Sequence, residues 1–163
     1  MKIILAILVL TLSACGFQLR GTAALPFETI YIPNTTGGIA LDLKRNIQSG
    51  TRTRVVVTDK GAQALMDLSG ETKFRNILSL SGAGRVRELQ LVLRVNMRVH
   101  DGKGAEFVPL TTLSITRDLT YNDSDVLAKE AEEAAIYREM QSDLVQQILR
   151  RLSAAQSARP VVQ

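Results

Sequence analysis

The clearest pattern in the chain is an alternation of apolar and polar residues at positions 89–99. Every odd-numbered position there is apolar, whereas most even-numbered positions are polar or charged. A period of two places the apolar side chains on one face of an extended strand. The pattern therefore predicts a long strand with one face on a core and the other face in water.

Glycine-rich turns at residues 81–84 and 101–104 join this strand to two further extended segments, residues 64–80 and residues 107–121. Consecutive strands that are joined by short turns pair in antiparallel fashion, so the three segments predict a meander. One face of the third strand, interrupted by Arg117, is expected to comprise Phe107, Pro109, Thr111, Leu113, Ile115, Leu119 and Tyr121.

Helical spacing predicts two helices. In the first, Ile39, Leu43 and Ile47 recur at intervals of four, and Gly50 ends the helix. The second covers residues 125–152, which contain neither Gly nor Pro. Its N-cap candidates are Asp123 and Ser124, its apolar stripe comprises Leu144, Val145, Ile148, Leu149 and Leu152, and Leu127, Ala131 and Ala134 are expected to extend that stripe.

Two short β-rich segments, residues 27–32 and 54–58, complete the predicted elements. The apolar face of the sheet needs a cover, and the two amphipathic helices provide one. The predicted fold is α+β, a two-layer sandwich with two helices on one face of a mixed, mainly antiparallel sheet of four to five strands. We assign it to a single domain, residues 27–153, followed by a disordered tail at 154–163.

The N-terminus has the pattern of an export signal. Residues 3–12 are almost entirely apolar but too few to span a bilayer, which takes about 20 residues. Cys15, the only cysteine, follows Leu12-Ser13-Ala14, which resembles a bacterial lipobox. We therefore predict a signal peptide at 1–14, acylation of Cys15 and a linker at 15–26. The alternative is an ordinary cleaved signal with an incidental cysteine.

Doubly acylated proteins anchor stably in a membrane, whereas one chain binds only marginally. In bacterial lipoproteins an aspartate after the cysteine often causes retention in the inner membrane, and here that residue is Gly16. The sequence thus favours the periplasmic side of the outer membrane.

Composition argues against several classes of function. The 20 basic residues exceed the 16 acidic ones only slightly and are scattered, and Trp is absent, which is not typical of nucleic-acid binding. The near absence of Cys and His removes the usual soft metal sites, and no cofactor is predicted. His100 ends a strand beside a turn, and no serine lies in a Gly-x-Ser-x-Gly motif. We therefore predict that the protein is not an enzyme.

The arginines of the meander are the most informative charges. Arg85 and Arg87 flank the first turn, Arg94 and Arg98 lie on the polar face of the central strand, and Arg75 is expected nearby. Guanidinium groups bind phosphate and carboxylate in a bidentate manner, so an anionic ligand is one interpretation. The other is that these charges keep an exposed sheet soluble or block edge pairing.

Residues 15–21, Cys-Gly-Phe-Gln-Leu-Arg-Gly, resemble the start of the mature lipopolysaccharide-assembly lipoproteins, the LptE family. Element order, size and the helix entry Val-Leu-Ala-Lys-Glu at 126–130 agree with this resemblance. It implies two helices on a sheet, forming a plug inside a large outer-membrane β-barrel of the LptD type. The pair would insert lipopolysaccharide into the outer leaflet, and the lipoprotein would also assist barrel assembly.

The resemblance also implies lipopolysaccharide contacts by basic residues before the longest strand and near the start of the last helix. The second position carries over to Lys129, whereas the first falls on residues 82–84, whose nearest basic neighbours are Arg85 and Arg87. We therefore predict Arg85, Arg87 and Lys129 as lipopolysaccharide-binding residues. The alternative function is a self-contained lipid carrier, and a membrane-tethered hydrolase is disfavoured because a nucleophile and a base are missing. Removal of residues 1–14 leaves 149 residues, which give little room for several acyl chains.

Overall fold

A computed structural model of the chain describes residues 24–121 and 125–155, together with the backbone of 159–160. The predicted signal peptide, Cys15 and the cap candidates Asp123 and Ser124 lie outside the described residues. The elements in chain order are β1 (Thr29–Tyr31), α1 (Gly38–Gly50), β2 (Arg54–Val56), β3 (Ala64–Leu80), β4 (Val86–His100), β5 (Ala105–Thr120), α2 (Val126–Ala154) and β6 (Arg159–Pro160).

The strands form one mixed sheet in the order β2-β1-β3-β4-β5-β6. β1 runs parallel to both β2 and β3, whereas β3, β4 and β5 form the predicted antiparallel meander. The two-residue β6 extends the far edge by pairing with Ala105 and Glu106. The five principal strands and two helices confirm the predicted α+β class.

A single core lies between the sheet and the helices, and the central strand supplies one wall of it. The odd-numbered residues of β4 from Leu89 to Val99 are all buried, as their alternation predicts. In α1, Ile39, Leu43 and Ile47 are at most 1% exposed. None of the helices within residues 24–155 that the structure describes is long and apolar enough to cross a bilayer.

The two helices run parallel to each other. The Gln141 side-chain amide donates to Asp42 Oδ2 over 2.6 Å, and that of Gln146 donates to Asn46 Oδ1 over 3.3 Å. Residue numbers therefore increase in the same direction along both helices where they contact each other. As a result, both C-termini lie at the same end of the domain.

The predicted stripe of α2 is confirmed in its C-terminal half and wrong in its N-terminal half. Leu144, Val145, Ile148 and Leu152 are buried and Leu149 is partly buried, whereas Leu127, Ala131 and Ala134 are exposed. Tyr137 and Met140 continue the buried stripe instead. The helix face is rotated there because charged residues of β3, not apolar ones, lie opposite the first turns of α2.

The predicted face of β5 is wrong at one end. The register pairs Met97 with Thr111 but Val99 with Val108, so β5 contains an extra residue between these pairs. Val108 is consequently buried in the core, and Pro109 is exposed. Pro109 has no N–H to donate to a ladder, which makes it well suited to an exposed strand irregularity.

Candidate functional site

The first candidate residue, Arg85, belongs to the tight turn between β3 and β4. Within this turn, the Ser81 N–H donates to Arg85 O over 2.7 Å and the Gly84 N–H donates to Ser81 O over 2.9 Å. Gly84 has φ +74°, a left-handed conformation that favours glycine. We call this end of the domain, where the β3–β4 turn and the start of α2 lie, the tip.

The structure brings the other two candidates, Arg87 and Lys129, to the tip as well. Arg87 is exposed at the start of β4, and its carbonyl accepts a 2.7 Å hydrogen bond from the N–H of Tyr121. Helix α2 begins at Val126, five residues beyond Tyr121. Lys129 Nζ lies 2.8 Å from Glu132 Oε2, so the charge of this lysine is partly balanced within the helix.

Beside the tip, β3 and the first half of α2 enclose an open cleft of about 710 Å³. Arg75 Nε is 3.3 Å from Glu133 Oε1, and the Lys73 ammonium is 5.5 Å from the ring centroid of Tyr137. The Tyr137 hydroxyl donates to the carbonyl of Phe74 over 3.0 Å. Burial, followed by the negative charge of Glu133, raises the pKa of this phenol. The cleft is therefore a charged seam that ties helix to sheet.

Sequence reasoning missed this cleft because an irregularity in β3 changes which residues face the helices. The register shifts between Ser69 and Thr72, around Gly70 at φ +64°. Beyond it, Lys73 pairs with Leu93 and Arg75 pairs with Leu91, so both cations share the helix-facing side with these core leucines. Arg75, expected near the arginines of the polar face, thus lies on the opposite side of the sheet. Gly70, a glycine inside a strand pattern, was the feature of the sequence that could have indicated this irregularity.

The sheet face turned away from the helices, which we call the open face, carries Arg94 and Arg98 as predicted. The Arg94 guanidinium stacks 5.4 Å from the ring centroid of Phe74. Arg98 Nε lies 3.3 Å from Glu106 Oε1 and 3.7 Å from Asp67 Oδ2. Both arginines therefore have local partners, and the open face is a polar surface with charges of both signs.

His100, the single histidine, closes a local turn. Its Nδ1 accepts the N–H of Gly102 over 3.0 Å, and its Nε2 is 3.2 Å from Asp67 Oδ2. The adjacent Asp101 carboxylate accepts the N–H groups of Lys103 and Ala105, which lowers the pKa of Asp101. No group of three or more His, Cys, Asp or Glu in the described part of the chain could hold a metal ion.

Comparison with known proteins identifies the family. A family model described as "Lipopolysaccharide-assembly" (LptE) matches residues 27–152. The chain belongs to the LptE family. The LPS-assembly lipoprotein LptE of Photorhabdus laumondii is 27% identical over 161 residues, covering 97% of this chain and 87% of the relative. The LptE of Yersinia pestis is also 27% identical, with 97% and 77% covered.

Solved structures of two lipoproteins share the fold. Lipoprotein B from Nitrosomonas europaea, determined by solution NMR, is 43% identical with a TM-score of 0.73, covering 85% of this chain and 91% of that one. Rare lipoprotein B from Shewanella oneidensis, at 20% identity and a TM-score of 0.66, shares the fold, with 77% and 92% covered. The chain is therefore a member of the lipopolysaccharide-assembly (LptE) family, which is not a known enzyme family.

Proposed function

We propose that this protein is an outer-membrane lipoprotein, acylated at Cys15 and exposed on the periplasmic side, that plugs and helps assemble the β-barrel lipopolysaccharide translocon. Its partner would be a large barrel of the LptD type. The proposal rests on family membership together with the character of the open face. That face is a wide sheet surface without helices, and most of its side chains around Phe74 and Val92 are polar or paired charges.

The open face suits the lumen of a barrel because barrel interiors are polar. Along β4 this face presents Arg94, Asn96 and Arg98, and Asn96 Oδ1 accepts a 2.7 Å hydrogen bond from the Thr112 hydroxyl of β5. Such a surface can exchange water for polar groups of a surrounding wall without burying unpaired charges. The open face is thus the surface that we assign to contact with the barrel.

The alternative, a self-contained lipid carrier, needs an enclosed apolar pocket. The helix-facing side of the sheet is filled instead, since Leu91, Leu93 and Met97 are fully buried against the helices. The cleft beside the tip is lined mainly by charged residues, including Lys73, Arg75 and Glu133. These features favour the plug over the carrier.

The test is a detergent pull-down from native membranes with a C-terminally tagged full-length chain. We expect a large barrel protein in stoichiometric amount. It should also be recovered when Cys15 is changed to Ser and an ordinary signal peptide directs export, because the plug contacts are made by the folded domain. Recovery of the lipoprotein without a barrel would reject the plug and favour the carrier.

Lipopolysaccharide binding by Arg85, Arg87 and Lys129 forms the second part of the proposal. Cations at an exposed turn and an adjacent helix start can meet the phosphates of the lipid. The triple variant Arg85→Glu, Arg87→Glu and Lys129→Glu should lose binding of purified lipopolysaccharide while still recovering the barrel. A matched triple away from the tip and the cleft, Lys44→Glu, Arg45→Glu and Lys60→Glu, changes the net charge equally and should retain binding. Unchanged binding by the first triple variant would reject lipopolysaccharide binding by Arg85, Arg87 and Lys129.

A further inference from the structure

The end of the domain opposite the tip, which we call the base, is where several chain segments start or stop. Strands β1 and β3 begin there, and the parallel helices α1 and α2 both end there. The first described residues also lie there, since Phe27 O accepts the Thr53 hydroxyl over 2.8 Å and Glu28 O accepts the Arg54 N–H over 2.8 Å. The chain that precedes Ala24 therefore enters the domain at its base.

Exposed cations concentrate at the base. Two arginines follow the end of α1, two lie near the end of α2, and one lysine sits in the β4–β5 turn; these are Arg52, Arg54, Arg150, Arg151 and Lys103. Within the described part of the chain, none of the four arginines has an ion-pair partner. The acids at this end are Asp101, which accepts two backbone N–H groups, Asp67 and Glu106, which pair with Arg98, and Glu28, which borders the same groove as Arg52.

Helix stability does not account for all of these charges. Arg151 lies in the last turn of α2, where a cation complements the helix dipole. Arg52 and Arg54 lie beyond Thr51, the residue that caps α1, and the last turn of α1 contains no basic residue. Arg52 instead borders an open groove that it shares with residues 24–28, beside the entry of the chain. Arg52 therefore lies beside the N-terminal segment and does not serve to stabilise the end of α1.

The length of that connection limits how far the base can lie from a membrane. Cys15 precedes Ala24 by nine residues, and a fully extended chain spans at most about 3.6 Å per residue, so the reach is about 30 Å. Acyl chains on Cys15 would therefore keep the base near lipid headgroups. Electrostatic attraction acts over about 8–10 Å at physiological salt, a distance that such a short tether allows.

We infer that the base is a docking surface for the anionic phospholipid headgroups of the leaflet that anchors Cys15. The inference rests on the acylation of Cys15 in the proposed function. Guanidinium groups bind lipid phosphates in a bidentate manner, and four unpaired arginines on one surface suit a negatively charged membrane. Docking through the base would point the tip, with Arg85 and Arg87, away from that leaflet.

The experiment measures headgroup binding without the anchor. The exported full chain with Cys15→Ser is mixed with vesicles of phosphatidylcholine alone or with added phosphatidylglycerol, and the bound fraction is measured by co-sedimentation. We expect binding only to the anionic vesicles, and its loss at high salt. The variant Arg52→Glu, Arg54→Glu, Arg150→Glu and Arg151→Glu should lower the partition coefficient by about tenfold or more.

A matched control separates a defined surface from net charge alone. Lys44→Glu, Arg45→Glu, Arg117→Glu and Arg138→Glu change the charge equally at positions away from the base, and this variant should bind at least half as well as the parent. If both quadruple variants lose binding equally, or if the parent does not bind anionic vesicles, the inference is overturned. Circular dichroism checks folding, and Arg→Gln changes at the same four base positions provide a second test if charge reversal unfolds the domain.

Failure of the docking surface and failure of the plug can be told apart. A chain that recovers the barrel in the pull-down but ignores anionic vesicles would retain the plug role and lose only membrane docking by the base. A chain that binds anionic vesicles through the base yet recovers no barrel would retain the docking surface and reject the plug.

Discussion

At the scale of single residues, position along α2 decides whether a leucine stabilises the fold. Leu144 is fully buried between the sheet and α1, whereas Leu127 is 83% exposed at the tip. Hydropathy treats the two alike, and the predicted stripe placed both on the core face. The two leucines differ only in what lies opposite their turn of the helix. Leu144 packs into the core cluster, and Leu127 does not.

Replacing these two leucines by alanine gives a matched pair on one helix. Leu144→Ala should lower the free energy of unfolding by about 2–5 kcal/mol, because it leaves a cavity in a packed core. Leu127→Ala should change it by no more than about 0.5 kcal/mol. Urea unfolding followed by circular dichroism measures both values. Equal losses would show that the first turns of α2 are buried after all.

A glycine pair tests the irregularity in β3. Gly70 has φ +64°, and a methyl group there would lie 3.0 Å from the side-chain amide of Asn96, so Gly70→Ala should destabilise by about 1–3 kcal/mol. Gly50 ends α1 without a positive φ and with open space around it, so Gly50→Ala should stabilise by about 0.4–1 kcal/mol. Thermal unfolding distinguishes the two signs, and a neutral Gly70→Ala would argue against the left-handed conformation.

At the scale of elements, polar contacts add to the packing of Tyr137 and Met140 in holding the first half of α2 to the sheet. The contacts are the Arg75–Glu133 ion pair, the Lys73 ammonium over the Tyr137 ring and the Tyr137 hydrogen bond to Phe74. The ion pair is partly exposed and is therefore worth little by itself. The buried phenol is the strongest single link between the two elements.

Tyr137→Phe tests this link and its pH dependence. Loss of the hydrogen bond should lower the free energy of unfolding by about 0.5–1.5 kcal/mol at neutral pH. Because the folded chain raises the pKa of this phenol above 10.0, the protonated group stabilises the fold fully below pH 10 and loses this contribution as pH rises through the folded pKa. The wild-type chain should therefore lose more stability above pH 10 than the variant.

Urea titrations at neutral pH and above pH 10 provide the measurement for Tyr137→Phe. Tyr31→Phe is the control, since the Tyr31 hydroxyl makes no hydrogen bond within the described residues. If the two variants respond to alkaline pH in the same way, the buried phenol does not clamp α2 to β3.

At the scale of the whole molecule, every principal element contributes to one core cluster, the edge strand β2 only through the partly buried Val55. Ile30 from β1, Leu43 from α1, Met66 from β3 and Leu144 from α2 are all fully or almost fully buried in it. A domain with one core unfolds in a single cooperative transition. The tip and the base lie at the two ends of this core and should therefore unfold together.

Cooperativity is testable with variants on both sides of the core. Leu93→Ala in the sheet and Leu144→Ala in the helix layer should each move the unfolding midpoints seen by far-ultraviolet circular dichroism and by tyrosine fluorescence together. Both signals report on the same transition when helices and sheet share one core. Separate midpoints for either variant would mean that α2 unfolds independently of the sheet.

The sequence by itself determined the antiparallel meander, the buried face of β4, the short helix α1 and the C-terminal half of α2. Each of these depends on local periodicity, because one pattern of apolar residues fixes which face of an element is buried. The lipobox at Cys15 is likewise readable from local sequence, although it lies outside the described residues and stays a prediction.

Only the tertiary structure decided the rotation of α2 over Lys73 and Arg75, the placement of Val108 rather than Pro109 in the core, and the gathering of Arg52 and Arg150 at the base. These features depend on the register between strands and on the parallel course of two helices that are distant in sequence. Local periodicity predicts neither the register nor the helix direction. A one-residue shift in β3 or β5 changes which side chains face the core without changing the composition of the strand.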